Sequence, residues 1–272
     1  MKTLFISLFL TIVVFLNAQN ENPLNYLNHL PHDLKAERSS IRSYQMITDY
    51  YNFDLKGSFL NKKRLSGTIT YGLNNDSVQW KNVYDYASKS LDSEFSYGQR
   101  KDFMQNFKYL SDDKVLTPEF FKDNLPDADP AIMNMIWDAL CFEVLAYNCW
   151  DSLKLNQEFQ AKNMNSELEI ANMGTFENKD IRITWLGITE INNQLCAILK
   201  YSVMNNPLKM ELENMTMNGR SHYWGEIFVS LSDKQIEHAK LTEDVLTDIK
   251  LKDQEEHILG YTIRTIDFFK IE

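Results

Sequence analysis

Over residues 130–152 the chain offers apolar side chains to nearly every side of a helix. Asp129-Pro130 supplies a capping acid and a first-turn proline, which together open a helix. Helical spacing then distributes Ile132, Ile136, Trp137, Leu140, Val144 and Leu145 over several faces at once. The polar residues form a narrow stripe of Asn134, Asp138 and Asn148, with Glu143 alone elsewhere. A helix so apolar has to be covered on most of its faces. Lipid would cover it too, but Asp138 and Glu143 near its centre would each cost about 3 kcal/mol there. The cover must come from the rest of the chain.

That cover reads as β-structure. Residues 68–73 and 78–86 are β-branched and aromatic runs on either side of Asn74-Asn75-Asp76, which has turn chemistry, and together they predict a hairpin. Residues 41–56 fit a helical stripe and a strand about equally. Between them and the long helix, Phe103, Phe107 and Leu110 suggest a short helical face, and Thr117-Pro118 opens a brief helix ending near Pro126. From residue 155 onward the pattern is a succession of strands: 180–191, 194–204, 210–217, 220–231, 235–251 and 257–271. Asn192-Asn193, Asn205-Asn206-Pro207, Asn218-Gly219 and Ser232-Asp233 separate most of them. Tight turns between consecutive strands mean antiparallel pairing, and Asn-Gly is the strongest of these turn signals. The fold class expected is therefore α+β, a strongly curved antiparallel β-sheet or partly open barrel, laid out as a meander and packed around the hydrophobic helix. Residues 41–272 are expected to form a single domain, with β-structure at 41–86, a helical middle at 99–152 and the meander at 155–272. An outer-membrane barrel suits the chain poorly, because the helix and the charged faces do not belong in one.

The first 18 residues have a different character. Met1-Lys2 is a short basic start, residues 4–16 are an apolar run broken by Ser7 and Thr11, and Asn17-Ala18 offers a small residue for cleavage. This is the pattern of a secretory signal, with an apolar core too short for a membrane anchor. The expectation is export, to the periplasm or beyond the cell, after cleavage near Ala18. Residues 19–40 are polar, carry two prolines and read as a loosely ordered leader. The chain holds 38 acidic against 28 basic residues, a net charge of −10. That excess disfavours nucleic acid and anionic membrane surfaces as partners. Cys141 and Cys149 are eight residues apart on one helix, about 12 Å of rise, and so cannot bridge each other.

No G-x-S-x-G, H-E-x-x-H or G-x-x-x-x-G-K stands in the sequence. One polar constellation does. In a strand 220–231, His222, Trp224, Glu226 and Phe228 share a face. A two-residue turn at Ser232-Asp233 would bring Leu241, Glu243 and Val245 to that face, which the aromatic residues mark as the core side. His222, Glu226 and Glu243 are then the candidate catalytic residues of a metal-assisted or carboxylate-based hydrolase, and equally the candidate ligands of a divalent metal. A register one residue off would disperse them. Asn134 and Asp138, one helical turn apart, are candidate ligand-binding residues with Trp224, although such a stripe also reads as the helix's solvated side. The leading expectation is a non-catalytic exported protein with a sheet–helix cavity suited to a small apolar or amphipathic ligand. The alternatives are the hydrolase and a component of a cell-envelope assembly that binds a protein partner.

Overall fold

The computed structural model describes residues 22–32, 40–126, 128–169, 174–252 and 257–271. The signal-like segment 1–18 and part of the leader lie outside the described residues. In the described part of the leader, Leu30 is buried, and the Trp150 indole N–H donates to the Pro31 carbonyl at 3.0 Å. That stretch is docked on the core.

Among the described residues thirteen strands make one antiparallel sheet. The first three are β1 (Arg42–Asp54), β2 (Phe59–Leu73) and β3 (Ser77–Ser88), followed by the short β4 (Gln99–Arg100) and β5 (Phe107–Leu110). After the helices come β6 (Glu158–Gln160), β7 (Ser166–Glu169), β8 (Gly174–Ile191) and β9 (Gln194–Asn205). The last four are β10 (Pro207–Glu211), β11 (Met215–Ser230), β12 (Ile236–Leu251) and β13 (His257–Lys270). β10 continues the path of β9, since both lie between β8 and β11. The spatial order is β8, β9 with β10, β11, β12, β13, β1, β2, β3. One edge strand, β8, carries β6 and β7, and the other, β3, carries β4 and β5. These edges do not pair with each other, so the sheet is large and open. The N-terminal hairpin and the C-terminal meander join through β13 and β1, whose register runs from Tyr44↔Lys270 to Asp54↔Gly260.

Among the described residues two α-helices accompany the sheet: α1 (Pro118–Asn124) and α2 (Pro130–Tyr147). Both start as their sequences predict. Thr117 Oγ1 caps α1, and Asp129 Oδ1 accepts from the Ala131 and Ile132 amides at 3.0 Å each. α2 is the helix that the sheet covers. Phe142 stacks on Phe268 of β13, and Trp137 donates to the Val115 carbonyl at 2.9 Å. Its two acids each meet an arginine from the sheet, Asp138 with Arg264 of β13 and Glu143 with Arg42 of β1. Such pairing is what allows carboxylates on so apolar a helix. Among the described residues no helix is long and apolar enough to cross a membrane. Cys141, Cys149 and Cys196 are free thiols.

Three local expectations give way to tertiary context. Phe107 and Leu110 lie in strand β5, where pairing to β3 overrides a weak helical pattern. Asn218-Gly219 is no turn: it sits inside β11, opposite Asp248 and Thr247. A Cβ at Gly219 would lie 2.4 Å from the Leu246 carbonyl oxygen, so the glycine serves close strand approach. The actual reversal falls at 213–214, closed by the Leu212 amide donating to the Met215 carbonyl at 2.8 Å, and it divides the expected strand 210–217.

Candidate functional site

A cavity of about 610 Å³ lies between α2 and the sheet, bounded also by residues of β7, β8 and β10. α2 contributes Leu140, Cys141 and Val144 from its apolar side. Five methionines, at positions 133, 164, 210, 215 and 217, also line it. The thioether side chain is unbranched and polarizable, so such a wall can adapt to a guest's shape.

Charge enters the wall at one cluster. Arg264 stands on the inward face of β13, at the same parity as the buried Ile266 and Phe268. Its Nη1 and Nη2 donate to the two carboxylate oxygens of Asp138 at 2.5 and 3.0 Å. Its Nε donates to Glu243 of β12, whose other oxygen accepts from the Ser221 hydroxyl of β11. Asp138, Glu243 and Arg264 are each less than a tenth exposed. Burial pushes the Asp138 carboxyl up to about 6 against the pull of Arg264. Burial alone would lower the guanidinium, but the two carboxylates hold it well above its ordinary value. Tyr50 of β1, directly across from Arg264, places a buried hydroxyl beside the guanidinium at the edge of the cluster. Burial raises this phenol to about 12, and the Cys141 thiol likewise to about 12, which leaves the thiol inert as a nucleophile.

The sequence-predicted residues divide between the two faces of the sheet. Asn134 and Asp138 line the cavity, and Asp138 is no solvated stripe. Glu243 also faces inward. His222, Trp224 and Glu226 do not: on β11 the inward residues are Ser221, Tyr223, Ile227 and Val229. The register pairs His222 with Asp244, and Tyr223 with Glu243. The expected His222/Glu226/Glu243 site is therefore not assembled, for catalysis or for metal, and Trp224, 36% exposed, does not line the cavity.

The cause is a one-residue slip. The turn is centred where Ser232-Asp233 predicts, with the Ser230 amide donating to the Gln235 carbonyl at 2.8 Å and Val229 opposite Ile236. A β-bulge then follows, Phe228 pairs with His238, and Glu237 is the extra residue. Glu237 turns inward and is held by Lys270 Nζ at 2.6 Å. Beyond the bulge every β12 residue faces opposite to a bulge-free reading. On the outer face Glu226 sits between Lys200 and Lys240 in the register, part of a charge ladder. Among the described residues no group of three or more His, Cys, Asp or Glu is arranged to hold a metal ion.

Sequence reasoning missed Arg264, Tyr50, Ser221 and Tyr223. Arg264 left one signal: an arginine at the core parity of a strand requires a buried acid, and α2 offers two.

No family model and no curated protein matches the sequence. Among solved structures, one described as "Lipid-protein interactions in lipovitellin" is similar over 88% of this chain at 14% identity, with a TM-score of 0.42. This chain spans 26% of the length of that one.

Proposed function

We infer that the protein is an exported, non-catalytic binding protein that takes a small apolar or amphipathic ligand into the cavity between α2 and the sheet. The observation that supports this is the cavity itself, about 610 Å³ with a mainly apolar wall whose charged groups form one cluster. Small-molecule sites commonly measure roughly 300–1,000 Å³ and combine an apolar lining with a few placed polar groups. Apolar surface gathered in a hollow open to solvent marks a ligand-binding groove, since a protein surface rarely leaves such a patch uncovered. Export rests on the composition of residues 1–18 alone. Separation of His222 and Glu226 from Glu243 takes away the arrangement that a hydrolase reading required.

The test is a titration of the mature chain with the uncharged fluorophore N-phenyl-1-naphthylamine, alongside Val144→Trp, which fills the cavity from α2. Saturable one-to-one enhancement is expected for the wild type, with affinity at least tenfold weaker in the variant while its circular dichroism is unchanged. Absence of saturable binding to the wild type, or equal binding by both proteins, overturns the reading.

A further inference from the structure

The cavity's polar end has an unusual charge balance for a lipid-sized site. The charged groups on its wall are Asp138, Glu243 and Arg264. The single guanidinium already faces two carboxylates: Nη1 and Nη2 donate to Asp138, and Nε donates to Glu243. One cation against two carboxylates leaves a formal charge of −1 in a wall shielded from water. A guest that brought a carboxylate would set a third negative charge against that one cation. In a low-dielectric pocket that repulsion is hardly screened. A guest with a hydroxyl, ester or ammonium end meets a better reception. The Tyr50 side chain lines the cavity beside Arg264, and its hydroxyl can donate to or accept from an uncharged oxygen. The surplus carboxylate charge attracts an ammonium.

Resting on the binding reading above, we propose that the cavity selects single-chain amphiphiles whose polar end is uncharged or cationic, and discriminates against fatty-acid anions of equal chain length. Arg264 acts here as a positioning residue. It neutralises part of the wall's own charge and holds both carboxylates in place, and it is not an anion receptor.

The experiment displaces bound N-phenyl-1-naphthylamine from the full mature chain at pH 8, using dodecanol, dodecylamine and dodecanoate. Dodecanol and dodecylamine are expected to displace the probe at concentrations at least tenfold below that of dodecanoate. Glu243→Gln, which removes one carboxylate charge while keeping a hydrogen-bonding side chain, should narrow that ratio to threefold or less. Tyr50→Phe, as a second variant, should weaken dodecanol about tenfold more than it weakens the probe. Dodecanoate displacing the probe as well as dodecanol does, in a protein that binds the probe saturably, overturns the selectivity and leaves the binding reading standing. Failure of the probe to bind at all removes both.

Discussion

Asp138 and Glu243 share one guanidinium, and burial penalises any member of the trio left without its partners. Arg264→Met is therefore expected to lower stability by about 3–5 kcal/mol, because it strands two buried carboxylates. Replacing all three by apolar residues (Arg264→Met, Asp138→Leu, Glu243→Leu) should restore most of that loss, since the desolvation penalty goes with the charges. Urea midpoints of the two proteins decide it, and a loss below 1 kcal/mol for the single variant would mean that the cluster is effectively hydrated. The pH dependence has a definite sign. With Asp138 raised to about 6, the folded state binds this proton more tightly than the unfolded chain, whose carboxyl titrates near 3.9. This group therefore adds stability as pH falls through about 6 toward 4, opposite to an ordinary salt-bridged carboxylate. Without the pull of Arg264 the carboxyl rises further, so the deficit of Arg264→Met should shrink between pH 8 and pH 5.

Elements whose rules are local were legible in the sequence. Both helix starts follow from Thr117-Pro118 and Asp129-Pro130, and the hairpin of β2 and β3 follows from Asn74-Asn75-Asp76 between two β-branched runs. What depends on distant partners was not legible. The β13–β1 pairing joins residues more than 200 positions apart, such as Tyr44 and Lys270, and no local pattern announces it. The candidate site failed at a single bulge, because one extra residue at Glu237 exchanges the faces of everything beyond it. Glycine was misread for a similar reason. Gly219 and Gly225 both lie within β11, where they admit a neighbour and do not turn the chain. A Cβ at Gly225 would lie 1.9 Å from the Lys240 carbonyl oxygen and 2.7 Å from the Tyr201 hydroxyl, which donates to that same carbonyl at 2.8 Å. Gly225→Ala must therefore push β12 aside and free a buried hydroxyl and a carbonyl from each other. A loss of about 2–3 kcal/mol is expected, seen as a lower denaturation midpoint at constant m-value. Stability within 0.5 kcal/mol of the wild type would show that the two strands have slack at this position.

Across the whole molecule, the sheet's inner face and its edge strand β5 carry buried phenols: Tyr44 and Tyr50 on β1, Tyr71 on β2, Tyr109 on β5, Tyr201 on β9 and Tyr223 on β11. Burial raises all six above the ordinary tyrosine value, because a phenolate there would lose its hydration. Unfolded tyrosines release their protons near pH 10. The contribution of these groups is thus fully present below pH 10 and is lost as pH rises further, since the unfolded chain ionises while the folded one cannot. With six groups acting together, the loss can reach roughly 8 kcal/mol per pH unit, against a total stability on the order of 5–15 kcal/mol. Alkaline unfolding should therefore be steep and complete within about one to two units above pH 10. Absorbance at 295 nm recorded with circular dichroism from pH 8 to 12 separates the possibilities. These six tyrosines are expected to ionise only in step with the loss of β-structure. If these six titrate near pH 10 while the dichroism holds, water reaches the inner face freely, and the low-dielectric wall on which the proposed selectivity rests does not exist.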